Sequence, residues 1–161
     1  MSMISVRRAK ATDSETIAAF NVAMALETEN LVIEPDTLLN GVTAMQANID
    51  LGFYLVACNR DQVIGCLGVT YEWSDWRNGL FWWIQSVYVD PQYRGQGAFS
   101  ALFEATHEAA LEAPQVVGIR LYAEKDNQRA ISTYHRLGMK TTHYRLLEIP
   151  MQPAADPSYE P

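Results

Sequence analysis

The residue types best suited to binding an anion lie in one short segment, Val87–Ser100, which reads VYVDPQYRGQGAFS. Its alternation predicts a strand that ends at Pro91, then a turn and the start of a helix. Gly95 and Gly97 lack side chains where the backbone turns, so amide N–H groups can converge on an anion beside the first-turn amides of the helix. Arg94 adds a forked, charged donor that suits a phosphate. The segment therefore predicts a site for a diphosphate-bearing ligand.

Other phosphate-binding loops do not fit this turn. A P-loop would continue with Gly-Lys-Ser or Gly-Lys-Thr, and a dinucleotide fingerprint would have a third glycine in the helix. Neither pattern follows Gly97. A tight strand-to-helix turn without a ligand accounts for two glycines equally well, so the turn alone leaves both interpretations open.

Two separated motifs resemble those of the GNAT superfamily of N-acyltransferases, in the family's order and over most of the chain, from Ile4 to Ile149. They are Val87-x-Val89-x-Pro91-x-x-Arg94-Gly95-x-Gly97 and Asn127-x-x-Ala130-x-x-x-Tyr134-x-x-x-Gly138-Met139. The first resembles the family's acyl-CoA-binding motif, which implies acetyl-CoA as co-substrate. Phe99 departs from the pattern, because the family has glycine or alanine at that position.

The resemblance also implies which residues hold the coenzyme. The diphosphate would contact the turn and the start of the helix, at Arg94, Gly95, Gln96, Gly97, Ala98, Phe99 and Ser100. Val87 and Val89 would pair with the pantetheine arm along the edge of the strand, as an added strand would. An N–H group near Val87 would polarise the thioester carbonyl. Asn127 would contact the ligand or orient its loop.

Transfer to an amine needs two proton movements. Tyr134 resembles the tyrosine that acts as general acid in the family, whereas a buried structural tyrosine is the alternative. An amine with a pKa near ~10 is mostly protonated at neutral pH, so a base must collect a proton. The strand from Leu80 to Val89 contains no carboxylate. The candidate bases are therefore Glu27, Glu29, Glu72 and Asp75, with Glu72 preferred and a water relay allowed.

All four tryptophans lie in one segment, at positions 73, 76, 82 and 83. Trp82 and Trp83 are consecutive on a predicted strand, so their side chains point to opposite faces. With Glu72 and Asp75 the segment can form an aromatic and acidic wall for a cationic amine. Ordinary sheet core is the alternative interpretation. The residues predicted to select the substrate are Glu27, Glu29, Asp75, Trp76 and Trp83.

The periodicity predicts a mixed α/β fold in which helices flank one sheet. The predicted order is strand, two helices, three strands, helix, strand, helix and strand, the last at Thr141–Ile149. This order matches the GNAT arrangement, in which the central strands splay apart to receive acyl-CoA. Residues 1–149 are predicted to form one N-acetyltransferase domain. Four of the seven prolines fall in residues 150–161, which predicts a loose tail outside the core.

Composition excludes several other functions. The 161 residues carry a net charge of −7, which argues against a nucleic-acid surface and is compatible with a cationic substrate. No apolar run approaches a membrane span and no signal-peptide pattern opens the chain, so we expect a cytoplasmic protein. Cys58 and Cys66 lack metal-ligand spacing and are expected to be buried free thiols, and no metal is predicted. Exposed aromatic side chains in the tryptophan segment would make a homodimer unsurprising.

The sequence therefore predicts an enzyme that moves acetyl from acetyl-CoA to a primary amine by direct attack. The amine belongs to a small molecule or to a peptide, and the sequence leaves that choice open. The alternative is a binding module that holds acyl-CoA without turnover. The missing strand carboxylate favours this alternative, and Tyr134 opposes it.

Overall fold

A computed structural model describes residues 3–151 of the chain. These residues fall into two compact units, one that ends at Leu121 and one that begins at Tyr122. The first unit contains the sheet and the glycine turn, and the second contains one helix. The predicted tail at 152–161 lies outside the described residues.

The first unit is built on a five-stranded sheet whose strands follow one another in chain order, β1-β2-β3-β4-β5. Neighbouring strands are antiparallel except β4 and β5, which are parallel. Three helices connect or flank the strands. The elements are β1 (Ile4–Arg8), α1 (Ser14–Glu29), α2 (Pro35–Ala47), β2 (Gly52–Asn59), β3 (Gln62–Ser74), β4 (Gly79–Val89), α3 (Ala98–Glu112) and β5 (Val116–Leu121).

Helices cover both faces of the sheet, which explains why β2 is buried along nearly its whole length. Tyr54 and Val56 pack in one apolar cluster with Ile17 of α1 and Val42 of α2. The alternating side chains of β2 point to the opposite face. Helix α3 packs on the strands with Leu102 and other side chains that are fully or almost fully buried. The predicted mixed α/β fold, with helices around a central sheet, is confirmed.

The second unit contains α4 (Gln128–Arg136), which begins at a side-chain cap. The Asn127 side chain accepts a hydrogen bond of 3.1 Å from the N–H of Ala130, so it satisfies a first-turn donor. The predicted strand at Thr141–Ile149 is wrong, because residues 139–150 form no strand in this structure. Its apolar side chains, including Leu147 and Ile149, are mostly exposed. Strand propensity alone does not form a strand unless a neighbouring edge accepts its backbone hydrogen bonds.

Three further observations bear on the predictions made from composition. Cys58 and Cys66 are both free and buried, as expected from their spacing. Within residues 3–151, every helix is too short or too polar to cross a bilayer. The same residues bring together no group of three His, Cys, Asp or Glu side chains that could hold a metal ion.

Candidate active site

The glycine turn lies between the end of β4 and the start of α3. Asp90 closes the first part of the turn, because its side chain accepts a 2.9 Å hydrogen bond from the N–H of Gln92. Residues Pro91–Tyr93 form a single 3-10 turn, and the Tyr93 hydroxyl donates to Gln62 at 3.0 Å. The chain then passes through Gly95 and Gly97 and enters the helix at Ala98.

Both glycines adopt backbone conformations that side chains disfavour. Their φ angles are +76° at Gly95 and +91° at Gly97. A Cβ atom added at either position would meet no atom of residues 3–151 within 4 Å, apart from its chain neighbours, so both glycines border open space in the described structure. Gly97 caps α3 without a side-chain hydrogen bond, which leaves the first-turn amides to other acceptors. The turn is therefore an open cradle of backbone donors at the positive end of a helix dipole.

The bulk of Phe99, which departs from the family pattern, lies beside another ring on the same helix. The centroids of the Phe99 and Phe103 rings are 6.4 Å apart. Phe103 itself is buried against the sheet. The Phe99 ring therefore has a neighbouring ring on α3 and does not come within 4 Å of a Cβ atom placed at Gly95 or Gly97.

Strands β4 and β5 are paired over only part of their length. Their pairing runs from Leu80 opposite Val116 to Ile84 opposite Leu121 and then stops. Beyond a two-residue interruption at 85 and 86, residues 87–89 pair again with β3 but have no partner on the β5 side within the described sheet. A bulge in the β3–β4 register occurs at the same level, between Leu67 and Val69. This split exposes backbone donors and acceptors along β4, next to the glycine turn, at Val87 and at the N–H of Val89, whose carbonyl oxygen already accepts from Arg94.

Arg94 is held by protein groups rather than extended over the turn. Its Nη1 and Nη2 atoms donate to the two carboxylate oxygens of Glu27 at 2.6 and 2.8 Å. Its Nε atom donates to the carbonyl oxygen of Val89 at 2.9 Å. The two residues predicted for phosphate and substrate binding, Arg94 and Glu27, therefore bind each other. Glu29, two residues further on, is exposed at the end of α1.

Glu72 is also engaged with protein groups, on the strand next to β4. Its Oε1 atom accepts from Arg120 Nη1 at 2.8 Å, and its Oε2 atom accepts from the Trp83 indole N–H at 3.2 Å. The Arg120 guanidinium lies 3.6 Å from the centroid of the Phe81 ring. Within the predicted wall of acids and aromatic rings, the negative charge of Glu72 is therefore neutralised by Arg120, which sequence reasoning missed. Arg120 belongs to no motif, and only the sheet register brings it to Glu72.

A second polar pair lies closer to the split. Gln85, the first residue of β4 beyond the β5 pairing, donates from Nε2 to the Thr70 hydroxyl at 2.9 Å. Its side chain is exposed, and its remaining amide oxygen can accept a hydrogen bond. Sequence reasoning also missed Gln85 and Thr70. No motif marks them, and only the end of the β4–β5 pairing places them at the split.

Asp75 and Trp76 lie far from the split, in the turn that joins β3 to β4. The Asp75 side chain accepts from the N–H of Trp76, whose ring is 86% exposed. Gln85 lies six positions after Gly79, the start of β4, which corresponds to about 20 Å along a strand. The predicted substrate-binding role of Asp75 and Trp76 stays a prediction.

In the second unit, Tyr134 lies on α4 and Asn127 caps that helix. Partial burial raises the pKa of the Tyr134 phenol above its usual value. The phenol is therefore protonated at neutral pH, as a proton donor must be. Asn127 uses its side-chain oxygen in the cap of α4, and its predicted role at the coenzyme stays a prediction.

Comparison with protein families decides the classification. The sequence model of the Acetyltransferase (GNAT) family matches residues 23–139, which is most of the chain and includes both motifs. The chain belongs to the GNAT family of acetyltransferases. No curated protein matches it.

Solved structures agree with this classification. A structure described as "a possible acetyltransferase from Clostridium difficile 630" is 42% identical, with a TM-score of 0.88 over 93% of this chain and 99% of that chain. An aminoglycoside N-acetyltransferase in complex with CoA is 13% identical, with a TM-score of 0.76 over 94% and 97% of the two chains. A ribosomal-protein-alanine N-acetyltransferase from Brucella melitensis is also 13% identical, with a TM-score of 0.72 over 92% and 100%. The latter two likenesses show the shared fold.

GNAT acetyltransferases use acetyl-CoA, and the residues of the first unit fit that coenzyme. The open side of Gly95 and Gly97 provides the space that a phosphate needs. The start of α3 provides backbone donors, and the unpaired edge of β4 provides partners for the amides of an extended arm.

Proposed function

We propose that this protein transfers the acetyl group of acetyl-CoA to a primary amine by direct attack, in the cytoplasm and without a metal ion. The observation that carries the proposal is the open glycine cradle beside the unpaired edge of β4. Backbone amides of residues 95–100 hold the diphosphate, with Gln96, Ala98 and Ser100 in the same turn. The β4 edge at Val87 and Val89 aligns the extended arm. Bound acetyl-CoA supplies a thioester carbonyl that an amine can attack.

Tyr134 is proposed as the general acid. Its phenol gives a proton to the thiolate that leaves when the carbon–sulfur bond breaks. Because burial raises the pKa of Tyr134, the phenol is protonated across the neutral range, which is the form that a proton donor needs. The GNAT motif that contains Asn127 and Tyr134 supports it independently.

Glu72 is proposed as the final proton acceptor, reached through water. Each of its oxygens accepts one hydrogen bond from the protein, and a carboxylate has about four acceptor positions, so a water can still bind. Glu72 is paired with Phe81, four residues before Gln85, which is about 13 Å along the strand. That spacing requires a relay of waters, for which the exposed Gln85 amide provides a further acceptor near the split.

The acceptor amine is proposed to be that of a small molecule or a peptide. Two of the three structural neighbours named above are described as an aminoglycoside N-acetyltransferase and a ribosomal-protein-alanine N-acetyltransferase, so the fold accommodates both classes of acceptor. The proposed contacts to the acceptor are Trp83 beside Glu72, with Glu29 at the end of α1.

The proposal is tested by binding and turnover measured on the same protein. Titration calorimetry with CoA should show saturable binding, and mass spectrometry of an amine and peptide panel with acetyl-CoA should show acetylated product. Tyr134→Phe should lower kcat by about a hundredfold or more without raising the KM for acetyl-CoA, since general acids contribute roughly 10²- to 10⁴-fold. Tyr144→Phe, an exposed tyrosine in the same unit, is the matched control.

Each negative result has a distinct meaning. Absence of CoA binding would overturn the proposal as a whole. Binding without acetylation of any amine would favour the second candidate, a non-catalytic acyl-CoA-binding module, which the absence of a carboxylate on β4 supports. An unchanged kcat in Tyr134→Phe would remove the tyrosine from the mechanism.

A further inference from the structure

All three side-chain nitrogen atoms of Arg94 donate hydrogen bonds to protein groups. Two bind the carboxylate of Glu27 as a fork, and Nε binds the carbonyl oxygen of Val89. The guanidinium carbon lies 5.3 Å from the centroid of the Tyr88 ring, which packs against Phe20 of α1. Arg94 therefore joins three parts of the first unit: the end of β4, the last turn of α1 and the start of the glycine turn.

Glu27 occupies a position that its own helix disfavours. It lies in the last turn of α1, where the helix dipole is negative and where the helix has no basic residue. Arg94, 67 residues away in sequence, supplies the missing positive charge. The Arg94 hydrogen bonds lower the pKa of the Glu27 carboxyl, and those of Glu27 raise the pKa of the Arg94 guanidinium. The pair thus stabilises the end of α1 as well as fixing Arg94.

The residue that follows Arg94 is the first of the two flexible glycines. Gly95 and Gly97 have neighbours at no closer than 4 Å on their open side, so side-chain packing there does not fix the turn. Besides the hydrogen bond from Gln96 Nε2 to the Gln92 carbonyl oxygen at 3.0 Å, the turn is therefore fixed at its ends, by the helix on one side and by Arg94 on the other. Ordering a flexible loop before the ligand arrives reduces the entropy that binding costs.

We propose that Glu27 is a positioning residue for the coenzyme turn: it anchors Arg94, and the Arg94 fork orders the backbone cradle instead of binding the diphosphate. This inference rests on the acetyl-CoA site proposed above. It assigns Glu27 a role at the coenzyme site in place of the substrate-binding role that its sequence position predicted. It also implies that backbone amides alone bind the diphosphate.

The test compares the dissociation constant for CoA, by titration calorimetry, in wild type, Glu27→Gln, Arg94→Gln and the double variant. We expect each single variant to bind CoA about threefold to tenfold more weakly, and the double variant to equal a single one. Glu104→Gln is the control, since it removes one exposed negative charge on α3 without a contact to Arg94. It should change CoA affinity by less than about twofold.

Steady-state kinetics separate positioning from a general loss of structure. In Glu27→Gln the KM for acetyl-CoA should rise while kcat and the KM for the amine stay within about twofold of wild type. Thermal unfolding of the same variant should stay close to wild type, because an exposed ion pair contributes little to global stability.

Two results overturn the inference while leaving the proposed function intact. If Glu27→Gln binds CoA as well as or more tightly than wild type, then Glu27 does not order the turn. If the effects of Glu27→Gln and Arg94→Gln add, then Arg94 acts on the ligand independently of Glu27. A wild-type protein that binds no CoA would overturn the proposed function itself, and this inference with it.

Discussion

Replacing Gly97 by alanine tests the backbone cradle directly. Gly97 has a φ of +91° and caps α3, and a Cβ there would point into open space rather than into the protein. The left-handed conformation costs a residue with a Cβ roughly 1–2 kcal/mol. The same Cβ would occupy the side from which a phosphate approaches, so the substitution acts on both folding and binding.

The expected loss of affinity follows from the hydrogen bonds of the cradle. If the strained turn withdraws one amide from the phosphate, binding loses about 1.5–3 kcal/mol, the range for a hydrogen bond to a charged group. That corresponds to roughly ten- to hundredfold weaker CoA binding. The assay is titration calorimetry with CoA, supported by thermal unfolding of the same samples.

Gly138→Ala provides a matched control for backbone strain. Gly138 follows α4, has a φ of +93°, and a Cβ there would also meet no atom within 4 Å. Both variants should lose a similar amount of stability, about 2–8 °C in Tm for a chain of this size. Only Gly97→Ala should lose CoA affinity by ten- to hundredfold. Equal dissociation constants for the two variants would refute the backbone cradle.

Two further predictions concern groups away from the cradle. Asp13→Asn should lower the free energy of unfolding by about 2 kcal/mol in urea titrations, because Asp13 is buried and accepts two hydrogen bonds from Arg7 and one from the Lys10 amide. Those bonds, led by that from Arg7, lower the pKa of Asp13. The ionised carboxylate therefore stabilises the fold fully above about pH 4, and this stabilisation is lost as the pH falls through the folded-state pKa. The difference in free energy of unfolding between wild type and Asp13→Asn should narrow over that range. If that free-energy difference were unchanged at pH 3, stabilisation by the ionised Asp13 carboxylate would be contradicted. Burial raises the pKa of Cys66 to about 12. Iodoacetamide at pH 8 should therefore label Cys66 only after denaturation, and rapid labelling of the native protein would be the contrary result.

Local features of the sequence were sufficient to predict most of the elements. The alternation of Trp82 and Trp83 predicted side chains on opposite faces, and the structure places Trp82 against Phe53 and Trp83 against Glu72. The glycine turn was predictable because the positive φ angles of Gly95 and Gly97 depend on the residue type itself and not on a distant partner. The spacing of the two motifs predicted the family, because this spacing can also be read from the sequence without a distant contact. The strand predicted at Thr141–Ile149 failed because its pattern contained no information about a partner strand.

The sequence by itself thus determined the order of the elements as far as α4, the position of the glycine turn and the family. Only the tertiary structure decided where β4 leaves β5, and which charges meet. The pairs Arg94–Glu27 and Arg120–Glu72 join residues 67 and 48 positions apart, so no local pattern marks them. Such pairs depend on sheet register and on helix packing, which are set by burial of the whole apolar core rather than by any one segment. For that reason the contacts of Arg94, Glu27 and Glu72 could be described only after the fold was known.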